Sequence, residues 1–118
     1  MGETKKTLAN IVEGLQEKKA RNIVIVDMSE LDAPCQYFVI AQGDSNTHVF
    51  SVATAAKDYM RNHAGMKPIA SDGFDNSVWI ALDYGHIIVH IFQQEAREFY
   101  DIEHLWEDAK ITAIPDIL

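Results

Sequence analysis

The chain has 118 residues, enough for one domain, and its 18 Asp and Glu against 10 Lys and Arg leave a formal charge of −8. Such a field opposes nucleic acid backbones, whose binding needs Lys and Arg to displace counterions; it suits basic protein partners or simple solubility. The single cysteine, Cys35, excludes an internal disulfide, and without a secretory signal or a run of roughly 18 apolar residues the chain is expected to be soluble and cytoplasmic.

Leu8, Ile11, Val12 and Leu15 follow the i, i+3, i+4, i+7 spacing of one helix face, which predicts an amphipathic helix over residues 4–19. "NIVIVDM" is too short and too β-branched for a helix and reads as a buried strand. "QYFVIAQG" from Gln36 reads as another strand, paired with the first, after a loop kept irregular by Pro34. Cys35, beside Pro34, is expected to be a small half-buried residue with nothing to activate its thiol. Beyond Gly43, Asp44 or Ser45 caps a helix that turns Val49, Val52, Ala53, Ala56, Tyr59 and Met60 inward and stops at Gly65. "KPIAS" is then a short strand and "SDGFDN" a turn-rich loop, and "SVWIALDYGHIIVHIF" forms two strands about Gly85. From Gln94 a last helix is expected to carry Phe99, Ile102, Leu105 and Trp106 on one side, followed by a tail over 110–118. The resulting order, α-β-β-α-β-β-β-α, is an α+β fold. It is a single domain over 1–118, core about 5–109, with helices covering a mixed five-stranded sheet.

With Tyr84-Gly85 as the hairpin turn, Asp83 opposes His86, Leu82 opposes Ile87, Ile80 opposes Val89 and Trp79 opposes His90. One face is then aliphatic (Val78, Ile80, Leu82, Ile87, Val89, Ile91) and is assigned to the core. The other (Trp79, Ala81, Asp83, His86, Ile88, His90, Phe92) is mixed and ring-rich. That second face is either covered by a helix or open as a platform for another macromolecule, and composition alone leaves both readings standing.

Catalytic constellations are missing from the pattern. His86 and His90 lie four steps apart on a strand, roughly 13 Å, too far to share one zinc, so no metal site is expected. There is neither a Gly-x-Ser-x-Gly elbow nor a phosphate-binding glycine motif, and the Gly43 turn is read as a helix cap. The strand, glycine turn, helix order is similar to the nucleotidyltransferase fold, but no Asp-x-Asp pair exists to hold catalytic magnesium. No cofactor is expected, nor enzymatic activity.

Taken together, "NIVIVDMSELDAPCQYFVIAQGDSNTHV", "VWIALDYGHIIVHIF" and "EAREFYDIEHLWEDA" resemble the ribosomal silencing factor (Iojap-related) family over roughly residues 5–109. The resemblance implies a nucleotidyltransferase-like fold without the catalytic carboxylates, and a translation repressor. Family members bind the large ribosomal subunit, chiefly through large-subunit ribosomal protein fourteen, and so hinder joining of the small subunit when nutrients are short. It assigns partner contact to Trp79, Leu82, Asp83 and Tyr84, with His90 and Phe92 beside them. His86 stands where the family usually has an acidic residue. A nucleotide-binding protein on the related fold and a self-associating module such as a homodimer are the alternatives; sequence-specific nucleic acid binding and membrane contact are not expected.

Overall fold

The computed structural model describes residues 2–117. Helix α1 (Gly2–Gln16) leads into strands β1 (Arg21–Asp27) and β2 (Tyr37–Gly43); helix α2 (Asn46–Ala64) precedes β3 (Ala70–Asp72), β4 (Trp79–Asp83) and β5 (Ile87–Gln93). Helix α3 (Gln94–Tyr100), a 3-10 turn (Ile102–His104) and β6 (Lys110–Ile114) complete the chain. The strands form one mixed sheet in the order β3-β4-β5-β2-β1-β6, with β2 and β5 parallel and each other neighbouring pair antiparallel. The α+β class and the helix-covered mixed sheet are those expected from the pattern.

The two central strands are buried on both sides, so they read as unbroken apolar runs rather than alternations. One face of the sheet, with Ile23, Val39, Ala41, Ile80, Leu82, Val89 and Ile91, packs on Ile11 and Leu15 of α1 and on Val49, Val52, Ala53, Ala56 and Met60 of α2. The other, with Val24, Val26, Phe38, Ile40 and Phe92, is closed by Ala96 of α3 and by Ile102 and Trp106 beyond it. Ser45 caps α2, its hydroxyl accepting from His48 N–H, and Gly65 closes it in the left-handed conformation. At Gly14 the helices touch so closely that a Cβ would meet Ala56 Cα and Tyr59 Cβ at 3.1 Å.

Four expectations are corrected. The sheet has six strands, not five, because residues 110–114 of the expected tail add β6 to β1, from Asp27↔Lys110 to Ile23↔Ile114. As an edge strand, β6 gains ladder hydrogen bonds while leaving almost all its side chains exposed, so it leaves no hydrophobic alternation to read. The last helix stops at Tyr100, where Asp101 takes a left-handed conformation and donates its N–H to Arg97 C=O. Phe99 is therefore 80% exposed and parted from Ile102 and Trp106, which were expected on the same helix side but return to the sheet through the 3-10 turn. Finally, the hairpin turns at Gly85-His86, with Tyr84 N–H donating to Ile87 C=O and Gly85 at φ +90°. Each partner moves by two, so that Trp79 opposes Phe92, Ala81 opposes His90 and Asp83 opposes Ile88. An even shift keeps the side chains of the paired strands on their expected faces, but Val78, assigned to the core, precedes β4 and is 37% exposed, and His86 falls in the loop. The short third strand also begins later than "KPIAS" suggested, after Pro68, which has no N–H to give a ladder.

One buried cation fastens the α3 side. Arg97 makes a bidentate pair with Glu103 (Nε to Oε1 2.8 Å, Nη2 to Oε2 3.4 Å), and its Nη1 donates to Asn22 C=O (2.7 Å) and Gln42 Oε1 (3.2 Å). It thus ties α3 to the 3-10 turn, β1 and β2 at once. Truncating Arg97 strands Glu103 without its counter-charge; Arg97→Ala is expected to cost about 3–5 kcal/mol, measured by urea denaturation, and a loss under 1 kcal/mol would refute the fastening role.

Candidate partner-binding surface

Trp79 opens β4 and is set in place by the loop before it. Gly73, at φ +93°, lies so close that a Cβ there would be 1.9 Å from Trp79 C=O. Ser77 N–H donates to Gly73 C=O, Val78 N–H to Asn76 Oδ1, and Gln93 N–H to Val78 C=O. From this start the Trp79 ring stacks on Phe92 (centroids 4.8 Å) and meets Tyr100 of α3 (4.8 Å), and its Nε1–H donates to His90 Nδ1 at 3.0 Å. His90 also meets Phe38 edge-on at 4.7 Å.

His90 is buried, and burial lowers its pKa to about 4, so the ring is neutral near pH 7. Because Nδ1 accepts from Trp79, the proton sits on Nε2, which has no partner among the described residues. Tyr84 is the other orphan. Its hydroxyl is buried without a hydrogen-bond partner among the described residues, and burial pushes its pKa up to about 12.

The six residues assigned to contact divide into three places. Trp79, His90 and Phe92 cluster on the α3 face; Leu82 and Tyr84 lie in the core under α2; Asp83 stands half-buried at the hairpin end, its Oδ1 accepting from Gly85 N–H at 2.8 Å. Leu82 and Phe92 are 0% exposed and cannot themselves touch a partner. Their burial corrects the expectation of direct contact: they hold the strands that carry Trp79 and Asp83. The mixed hairpin face is therefore divided: His90 and Phe92 are covered on the α3 side, whereas Trp79, Ala81, Asp83 and Ile88 stay partly exposed and His86 lies outside the strands. His86 does not face Asp83; it occupies the exposed loop, and its C=O accepts from Gln36 and Tyr37 N–H. Burial raises the pKa of Cys35, with a smaller push from Asp83, which keeps the thiol protonated.

Phe99 (80% exposed) and Tyr100 (50%) form an open aromatic pair that the sequence pattern does not single out, since it groups Phe99 with Ile102 and Trp106 on one helix side. The signal available was Asp101 directly after Tyr100, a residue that tolerates the left-handed helix stop. A cleft of about 200 Å³ opens at the ends of the parallel pair, where α/β sheets often hold ligands. It is lined by Gln42, Gly43, Asp44, Gln93, Gln94 and Glu95, and its two carboxylates oppose a nucleotide phosphate.

Residues 2–117 match the family model described as "Ribosomal silencing factor during starvation". Ribosomal silencing factor RsfS of Bacillus subtilis is 33% identical over 95 residues, covering 80% of each chain. The mouse protein named "Mitochondrial assembly of ribosomal large subunit protein 1" is 30% identical over 98 residues, covering 81% of this chain and 43% of its own length. A crystal structure of a Chromobacterium violaceum protein superposes with a TM-score of 0.82 at 29% identity, over 94% of this chain and 92% of the other.

The buried histidine predicts acid sensitivity. The unfolded chain takes up a proton near pH 6.5 that the fold resists until about 4, so stability is lost as pH falls through that window, by about 3 kcal/mol in all. His90→Gln, whose amide oxygen can still accept from Trp79, is expected to flatten this slope in denaturation curves between pH 7 and pH 4; an unchanged slope would contradict the assignment.

Proposed function

We propose, from the premise that this chain belongs to the ribosomal silencing factor family, that it binds the large ribosomal subunit through large-subunit ribosomal protein fourteen and blocks joining with the small subunit, above all when nutrients are limiting. Ribosome-associated regulation of translation is the family's role; the docking partner, the steric mechanism and the nutrient trigger are the finer parts of the proposal. The match of the family model across residues 2–117 carries it.

The surface chemistry supports the same reading. A chain of charge −8 attracts the basic surface of a ribosomal protein. Trp79 presents a rigid ring at the sheet margin, oriented by His90 and Phe92, and Asp83 offers a carboxylate at the hairpin end. Trp79 and Asp83 are the direct contacts in this scheme; Leu82, Tyr84, His90 and Phe92 position them. Occlusion asks for no reacting group, so the protein acts without enzymatic chemistry.

Co-sedimentation with isolated large and small subunits tests the proposal. The protein is expected to pellet with large subunits only, and Trp79→Ala, checked for folding by its melting curve, is expected to lose about 2–4 kcal/mol of binding. Pelleting with neither subunit, or equally with both, would overturn it. His86→Asp, which restores the acidic residue usual in the family, is expected to keep or strengthen large-subunit binding; a clear loss of affinity would remove the carboxylate surface from the contact.

A further inference from the structure

Helix α3 packs through Ala96 and Arg97 and leaves its two aromatic residues outside. Phe99 and Tyr100 meet edge to face (centroids 5.0 Å, 88°), and Tyr100 meets Trp79 at 4.8 Å, so three rings run in a row from solvent to the sheet margin. The charge around them is one-sided. Residues 94–109 hold six carboxylates and a single Arg, a net −5 out of the chain's −8, and that Arg is buried against Glu103. Asp101 is occupied by His104, whose pKa it raises. Glu95 and Glu98 form no ion pair among the described residues, and Glu95 shares a helix face with Phe99 at i, i+4.

We infer that the ring row Phe99, Tyr100 and Trp79, with Glu95 on the same helix face as Phe99 and Glu98, which accepts from Gln94 Nε2, adding to the local negative charge, is a docking surface for arginine side chains presented by a basic protein. A guanidinium lies flat on an aromatic face while its edge forks a carboxylate, which a compact ammonium cannot do in the same way. Unpaired nucleic acid bases also stack on rings, but a local charge of −5 repels the phosphates that accompany them. The inference deepens the proposed function, resting on its premise of a basic protein partner, and extends the contact surface to α3, away from the hairpin end.

Calorimetric titration with nona-arginine and nona-lysine peptides at physiological salt tests the chemistry directly. The arginine peptide is expected to bind at least about fivefold tighter than the lysine peptide. The double variant Phe99→Ser/Tyr100→Ser is expected to erase that preference without lowering the melting temperature, and Glu95→Gln/Glu98→Gln to weaken binding of both peptides. Equal affinity for the two peptides, or an undiminished preference in the ring variant, overturns the inference. So does a self-association seen by sedimentation velocity and lost in that variant, which would give the surface to a second copy, or an oligouridylate that binds it. Large-subunit co-sedimentation of the ring variant separates the two proposals. Wild-type pelleting that the variant keeps in full refutes the arginine surface and leaves the ribosome reading intact. Arginine preference without wild-type pelleting does the reverse.

Discussion

The burial of β2 and β5 on both faces is the constraint from which the rest of this structure follows. Parallel and adjacent at the centre of the sheet, they expose almost nothing, so each face must be covered by another layer. The covers are unequal. Fifteen-residue α1 and nineteen-residue α2 close one side, whereas the other relies on seven-residue α3 and the turn behind it. Helix propensity alone would not hold so short a helix in place. Arg97, buried and bonded to Glu103, Asn22 and Gln42, supplies the missing attachment.

The thin cover also shapes the surface. Because α3 ends at Tyr100, the margin of the sheet stays open, and the rings there run from the buried Phe92 through half-buried Trp79 to Tyr100 and Phe99. Rigidity comes from the inner end of the row, where Trp79 is hydrogen-bonded and stacked; access comes from the outer end. In the docking proposed above, an anchor that is already ordered before binding loses less conformational entropy on association. The neutral His90 is the internal cost of this arrangement, since a buried imidazole with one unpaired N–H is tolerated only while it stays uncharged.

Much of this was legible in residue patterns, and the limits of legibility have physical causes. Period-3.6 apolar spacing located α1 and α2, Ser45 and Gly65 marked the ends of α2, and the division of the hairpin into an aliphatic and a ring-rich face was correct even though its turn was placed one residue early. A register error of two preserves faces because side chains alternate with period two. The contact residues were less legible. Leu82 and Phe92 lie in a segment that resembles a binding motif, yet motif membership does not say which members point at solvent, and both are fully buried.

By itself the sequence determined the α+β class, the amphipathic helices, the core face of the hairpin and the acidic character of the chain, because each of these depends on local periodicity or on summed charge. Tertiary structure alone decided that residues 110–114 become a sixth strand, that Asp101 stops α3, and that Phe99 and Tyr100 face outward beside Trp79. These outcomes rest on partners distant in the chain: β6 exists only where β1 presents an open edge, and α3 sits only where Asn22, Gln42 and Glu103 converge on Arg97. Long-range hydrogen bonds and a buried ion pair leave no period in the residues that make them, so the surface they create is visible only once the chain has folded.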